Sequence, residues 1–459
     1  MLNYIWLGLV VLAVLIGGWN GQLKEVAEKS LEMANTAVVG IAFALIGVMA
    51  LWLGVMRLAE RAGLVSLLAR VLRPLMIRIF PDVPAEHPAM GSMLMNIAAN
   101  LLGLGNAATP LGLRAMRDLE SLNPRPGTAT NAMCTFLAIN TSGIQLIPVT
   151  AIAILAANHS TNPTSIVGTS IICTTCACVC GVLMAKFLSK LPMFRLPSLS
   201  SSRGNEPQTE EVESNQSLPT SAATNKEEKP AIKEAAALQP LKWWGHAIIV
   251  AFLLFFVLLF LRMIFPAWFG LQIPADEAGQ SLFVRVVGAV SLLSIPFLLS
   301  AFPLYAALRR VKVYEEFVDG AKEGFDVAIR IIPYLVAMLV AVGMFRAAGG
   351  IDLLSRLLSP VLGLISFPTD LLPMVLVRPL SGSGSLGFFT ELVKHFGADS
   401  LIAKTGGTIY GSTETTFYVL AVYFGAVGIK RTRHAVLAGL TADLVSVIMA
   451  VTVCRIVFG

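Results

Sequence analysis

Leu67-Leu-Ala-Arg-Val-Leu-Arg-Pro74 and Leu353-Leu-Ser-Arg-Leu-Leu-Ser-Pro360 are two copies of one pattern, L-L-x-R-x-L-x-P. Each copy follows a hydrophobic span that closes on Gly-x-x-Arg, Gly54 to Arg57 in the first case and Gly343 to Arg346 in the second. Each precedes a Phe-Pro pair, Phe80-Pro81 and Phe367-Pro368. Beyond both lie a Gly-rich interrupted segment and then a long apolar span broken by small polar residues. A membrane chain made from two copies of one interrupted unit has the build of many secondary transporters.

Working outward, 56% of the 459 residues are hydrophobic, 14% are charged, and the mean hydropathy is +0.75. These values exclude an ordinary soluble domain and predict an all-α integral membrane protein. The net charge of +6 needs no nucleic-acid partner, because membrane proteins collect Lys and Arg on cytoplasmic loops. The lipid bilayer is the expected partner. The segment Leu2 to Trp19 lacks a basic leader and a small-residue cleavage site, so it reads as a first span. About nine spans are expected from length and apolarity. They lie near 2–19, 36–56, 128–157, 162–188, 243–265, 281–304, 325–345, 399–424 and 432–458.

Two amphipathic stretches, near 57–80 and 346–363, carry too many charges to cross and are expected at the interface. Segments 88–120 and 369–396 are broken by Gly and polar residues and predict two re-entrant hairpins. Residues 196–240 are rich in Ser, Pro, Glu and Lys without apolar period, which predicts a disordered linker. The domains are therefore 1–190, a linker over 191–240, and 241–459. Span parity makes the repeat inverted. Lys226, Lys229, Lys233, Lys242, Arg309, Arg310, Lys312, Lys430, Arg431 and Arg433 share the linker side. That bias predicts a cytoplasmic amino terminus and linker, with the carboxyl terminus outside.

Candidate chemistry concentrates at the interruptions. Arg378-Pro-Leu-Ser-Gly-Ser-Gly-Ser385 opens a short helix whose start offers N–H groups and a positive dipole end, joined by the hydroxyls of Ser381, Ser383 and Ser385. Gly406-Gly-Thr-Ile-Tyr-Gly-Ser-Thr-Glu-Thr-Thr416 interrupts a span near Thr413 and Glu414. A carboxylate at membrane depth costs roughly 3 kcal/mol on insertion scales, so Glu414 calls for a partner or a wet cavity, and Arg378 is the candidate partner. A buried structural ion pair is the plainer reading of the same residues. Asp443 is a second intramembrane acid. In the first half the matching places are polar and uncharged: Asn96, Asn100, Asn106, Asn140 and Gln145. Amide side chains suit hydroxyl or heterocycle recognition, and they also serve as interhelical glue.

Cys173, Cys176, Cys178 and Cys180 crowd one apolar segment. Three of them share a helical face, which admits a soft-metal site. No His or carboxylate completes a ligand set, so small-residue packing is the favoured reading and no metal site is assigned. Phosphate-loop, dinucleotide and hydrolase motifs are missing in credible context, so no enzymatic role is expected.

At these residues the chain resembles known families. Its first half resembles spore maturation protein A through Leu67–Pro74, Asn96–Pro110 and Asn140–Pro148. Its second half resembles spore maturation protein B through Arg378–Gly387 and Gly406–Thr416. Both families are grouped with nucleoside-recognition, or Gate, domains, which also resemble parts of ferrous-iron and concentrative nucleoside transporters. In the latter a Gly-x-Thr/Asn-Glu element at a helix break contributes to nucleoside and cation binding, and Gly411-Ser-Thr413-Glu414 matches it. Ser142-Gly-Ile-Gln145 has no acid. The resemblance implies a permease-like protein of the bacterial inner membrane binding a small polar, nucleoside-like solute. No cofactor is expected apart from a coupling cation, and a homo-oligomer is a compatible assembly. The rival expectations are a non-transporting assembly protein of spore or envelope maturation, and a metal-ion conduit.

Overall fold

Apolar runs bounded by capping residues decide where helices start. Thr130 caps one through its hydroxyl, which accepts from the Met133 amide at 3.1 Å, and Ser400 does the same for the Ala403 amide at 3.2 Å. His87 caps another, with Pro88 in the first turn. The computed structural model describes residues 2–103, 105–194, 241–271, 280–353, 356 and 367–459. Within these, the side chains at 2, 3, 5, 44, 105–107, 327, 328, 330, 331 and 334 lie outside the description. The expected linker falls mostly outside the described residues, as does half of the amphipathic stretch 346–363. Residues 191–194 are described, and a 3-10 turn runs over Pro192–Phe194.

The described residues form helices and turns without a named strand. The elements are α1 (Leu2–Trp19), α2 (Leu23–Asn35) running through a π-helical turn into α3 (Phe43–Arg61), and α4 (Leu64–Ile79). Next come α5 (Pro88–Leu101), α6 (Gly105–Glu120), α7 (Asn131–Thr141), α8 (Val149–Ala157) and α9 (Ile166–Lys190). Beyond residue 240 are α10 (Trp243–Ile264), α11 (Leu282–Leu308), α12 (Val313–Ala347), α13 (Leu372–Val377), α14 (Gly382–Phe396), α15 (Leu401–Ser412), α16 (Thr416–Gly425) and α17 (Ala435–Phe458). Among the described residues, five helices are long and apolar enough to cross a membrane: Leu23–Arg61, Pro163–Lys190, Trp243–Ile264, Leu282–Leu308 and Ala435–Phe458. The protein is a multi-pass, all-helical membrane protein.

Some expected boundaries move. The span placed at 36–56 belongs to a helix that begins at Leu23 and ends at Arg61, so the first turn of the expected interfacial stretch is part of it. The span placed at 325–345 sits in a helix that begins at Val313. Charged residues at the membrane edge do not end a helix, because its backbone bonds are internal. The stretches 128–157 and 399–424 are each two helices, α7 with α8 and α15 with α16.

The halves pack through matching elements. Helices α3 and α12 run antiparallel, and a Cβ built on Gly320 or Gly324 of α12 would lie 2.5 Å from the Leu53 carbonyl or 2.6 Å from the Ala50 Cα. Only residues without side chains permit that approach. Helices α9 and α17 are antiparallel too, with Ala185 against Ala438, and Gly181 against Ala442. At one end, the Gly127 carbonyl accepts from the Lys430 and Arg431 amides at 2.9 and 3.0 Å. At the other, Asp399 accepts from the Ser160 hydroxyl at 2.6 Å and from the Thr161 amide at 2.9 Å. The Ser160 hydroxyl first, then the Thr161 amide, holds the Asp399 carboxyl below the usual carboxylate range.

Both Gly-x-x-Arg arginines clamp acids across helices. Arg57 pairs with Glu316 at 3.2 Å and Glu323 at 2.7 Å on α12, and Arg346 grips both oxygens of Glu391 on α14.

A candidate solute site where two helix breaks cross

The interruption between α7 and α8 meets the one between α15 and α16. Gly143 has φ +56°, and a Cβ on it would lie 2.9 Å from the Thr413 carbonyl carbon, so backbone touches backbone there. The Glu414 amide donates to the Thr141 carbonyl at 3.1 Å. A Cβ on Gly411 would overlap Pro148. Carbonyls freed by the first break find a donor in the Thr174 hydroxyl, 2.9 Å from that of Ser142 and 2.8 Å from that of Gly143. Each hairpin tip is tied to the break of its own half. The Leu146 amide donates to Leu101 at 3.1 Å, and the Phe417 amide donates to Pro379 at 3.0 Å. Non-helical backbone at membrane depth is tolerable only with such partners.

Beside the crossing lies a cavity of about 150 Å³ lined by Gln145, Pro148, Thr150, Ala151, Arg378, Gly382, Tyr410, Gly411, Glu414 and Thr415. Arg378 is 5% exposed. Its Nε donates to the Thr413 hydroxyl at 3.0 Å, and its Nη2 donates to the carbonyls of Tyr410, at 3.0 Å, and of Thr413. The Tyr410 ring lies under the guanidinium, 4.3 Å from Cζ to centroid. Glu414 is held more loosely. Its Oε2 is 3.9 Å from Arg378, its Oε1 accepts from the Gln145 amide at 3.2 Å, and its side chain is 35% exposed.

Of the expected site residues, the structure brings Arg378, Thr413, Glu414 and Gln145 together. The serines turn inward to the backbone instead. The Ser381 hydroxyl accepts from the Gly384 amide at 2.9 Å and lies 3.4 Å from that of Ser383, while the Ser385 hydroxyl donates to the Gly382 carbonyl at 3.0 Å. Asn96, Asn100 and Asn140 form a second group, outside the cavity. Asn100 donates to the Asn140 oxygen at 3.0 Å, the Tyr423 hydroxyl donates to that oxygen at 3.4 Å, and Asn96 reaches Tyr423 at 3.3 Å. The Asn106 side chain lies outside those described. Asp443 accepts from the Thr416 hydroxyl at 2.6 Å just past the break. Tyr410, Thr415, Gly382, Thr150 and Tyr423 were not singled out from the sequence. Tyr410 and Thr415 stand inside the quoted Gly406–Thr416 motif, whereas Tyr423 in an apolar run carries no signal.

Among the described residues no three metal-ligating side chains converge. Cys173 is fully buried on α9, and Cys176, Cys178 and Cys180 are half-buried. Replacing Cys173, Cys176 and Cys180 together with Ala is expected to cost about 1 kcal/mol per buried side chain and to leave metal content unchanged. Stoichiometric metal in the parent that disappears in this variant, measured by elemental analysis, would restore the conduit reading.

Broken helices around a cavity with a buried arginine define a helical membrane protein with an interrupted centre. The Gate family, described as nucleoside recognition, matches residues 42–191. Spore maturation protein B of Bacillus subtilis (strain 168) is 43% identical over 176 residues, which is 38% of this chain and 99% of that protein. Spore maturation protein A of the same organism is 43% identical over 187 residues, 41% of this chain and 95% of that protein. The chain belongs to the spore maturation protein A and B family. No solved structure matches it.

Proposed function

We propose that this protein is a permease-like carrier of a small polar solute in the bacterial inner membrane, without an enzymatic role. Two inverted units over 1–190 and 241–459 would form it, each with a re-entrant hairpin, α5 with α6 and α13 with α14. The observation that carries the reading is the cavity at the crossing of the two breaks, where a charged pair sits at membrane depth. The antiparallel packing of α3 on α12 and of α9 on α17 supports the inversion. The cavity lies between the first turns of α8 and the last turn of α15, helices that lead toward Ser160 and Asp399. Toward the linker end the way is filled by the Asn96, Asn100, Asn140 and Tyr423 group. This arrangement fits a carrier open on one side only. Lys186, Lys190, Lys242, Arg309, Arg310, Arg431 and Arg433 on the linker side support a cytoplasmic linker. A nucleoside-sized solute would need the cavity to widen, since pockets for drug-sized ligands begin at about 300 Å³.

The rival reading is a non-transporting assembly protein, favoured by the spore maturation names of both relatives. Access separates the two. In a background with the native cysteines replaced by Ala, Thr150→Cys is expected to react with a membrane-impermeant thiol reagent from the side opposite the linker. Asn100→Cys is expected to react from the linker side, and cross-linking the α8–α15 mouth is expected to enhance that second reaction. If neither position is ever labelled, the centre is a dry joint and the assembly reading takes over.

A further inference from the structure

We propose that the cavity binds the anionic group of a small solute, a carboxylate or phosphate, on Arg378, and that Glu414 is the resident anion it displaces. This rests on the reading of the centre as a solute site. The guanidinium is fixed from behind, because Nε and Nη2 are spent on Thr413 and Tyr410. Its Nη1 makes no hydrogen bond to the described residues, although Arg378 is 95% buried and lines the cavity. That arm points past Gly382, where a Cβ would come 3.6 Å from Nη1 and 3.0 Å from the Thr415 hydroxyl. A missing side chain thus keeps the approach to Nη1 open.

The last turn of α15 brings carbonyls to the wall, and those of Tyr410 and of its cap residue Thr413 are already taken by Arg378. Helices α8, α14 and α16, of 9, 15 and 10 residues, begin at or beside lining residues and bring their positive dipole ends to the wall, while the Val149, Gly384 and Phe417 amides are taken by Ile147, Ser381 and Pro379. The Gln145 amide adds a further donor. Glu414 is the one charged acceptor among the lining residues, and it has only the Gln145 bond and a contact of 3.9 Å to hold it. An incoming carboxylate or phosphate can take over the Gln145 amide and gain Nη1, so exchange keeps every donor satisfied. A cation would meet one carboxylate beside an immovable guanidinium. The volume of about 150 Å³ holds several waters and suits a small acid or a phosphate.

The test uses the full chain in nanodiscs of purely zwitterionic lipid, so that no anionic headgroup competes. Thermal melting is followed against acetate, inorganic phosphate, uridine and sodium chloride at matched ionic strength. Saturable stabilisation of the parent by acetate or phosphate is expected. Glu414→Gln, which removes the competitor, should tighten that binding about tenfold, and Gly382→Ala should weaken it about tenfold. Phosphate binding without acetate binding, or the reverse, identifies which anion fits. The proposal is overturned if neither anion stabilises the parent, if Glu414→Gln weakens anion binding, or if sodium alone stabilises the parent and Glu414→Gln abolishes it. Stabilisation by uridine alone overturns the anion while keeping a solute site. Anion binding without two-sided thiol access keeps the anion and removes the carrier.

Discussion

Arg378→Met is expected to cost about 3–5 kcal/mol of stability, the range for removing one member of a buried charged network. Met fills much of the volume but leaves the Tyr410 and Thr413 carbonyls and the Thr413 hydroxyl without their donor. Each orphaned buried acceptor costs about 1–3 kcal/mol. Glu414→Gln should cost under about 1 kcal/mol, because its contact with Arg378 is long and solvent reaches the carboxylate. The double variant should therefore stay near the stability of Arg378→Met. Simple charge cancellation, the expectation for a tight ion pair, would instead return it to the parent. Denaturant or thermal unfolding in nanodiscs decides this, and a double variant as stable as the parent would show that Arg378 matters only as the partner of Glu414.

Gly143→Ala is expected to be nearly as harmful, at about 2–4 kcal/mol. A residue with a Cβ at φ +56° is strained by about 1–2 kcal/mol, and this Cβ would also sit 2.9 Å from the Thr413 carbonyl carbon, where neither backbone can retreat. Gly91→Ala is the matched control. It lies within α5 with nothing within 4 Å of a built Cβ, so it should stabilise slightly, by about 0.5–1 kcal/mol, through helix propensity. Equal melting temperatures for the two variants would mean that the breaks do not meet as described.

Much of the fold was legible because membrane depth makes interruptions conspicuous. Gly and polar residues in an apolar run have few innocent explanations, and the breaks at Ser142–Pro148 and Thr413–Thr415 follow from them. The partnership of Arg378 and Glu414 was legible for the same reason. Its looseness was not, since a sequence carries no sign that Tyr410 and Thr413 would occupy the guanidinium first. The serines at 381, 383 and 385 misled because a helix start uses hydroxyls for its own amides before any ligand. Their spacing is the same for a cap and for a site. Helix starts at the membrane edge were missed by up to thirteen residues, Leu23 against an expected 36, because amphipathic extensions such as α2 carry charges that mimic a loop.

The pairing of elements across the molecule has one more consequence. The crossing of the breaks, the α3–α12 and α9–α17 seams and both loop contacts are all made between the part before the linker and the part after it. Neither part alone could close the centre, and the two are needed in equal number. Joining them in one polypeptide fixes a one-to-one stoichiometry at synthesis. It also replaces a search between partners diffusing in the bilayer with an encounter within one chain, at an effective concentration set by the length of the connection.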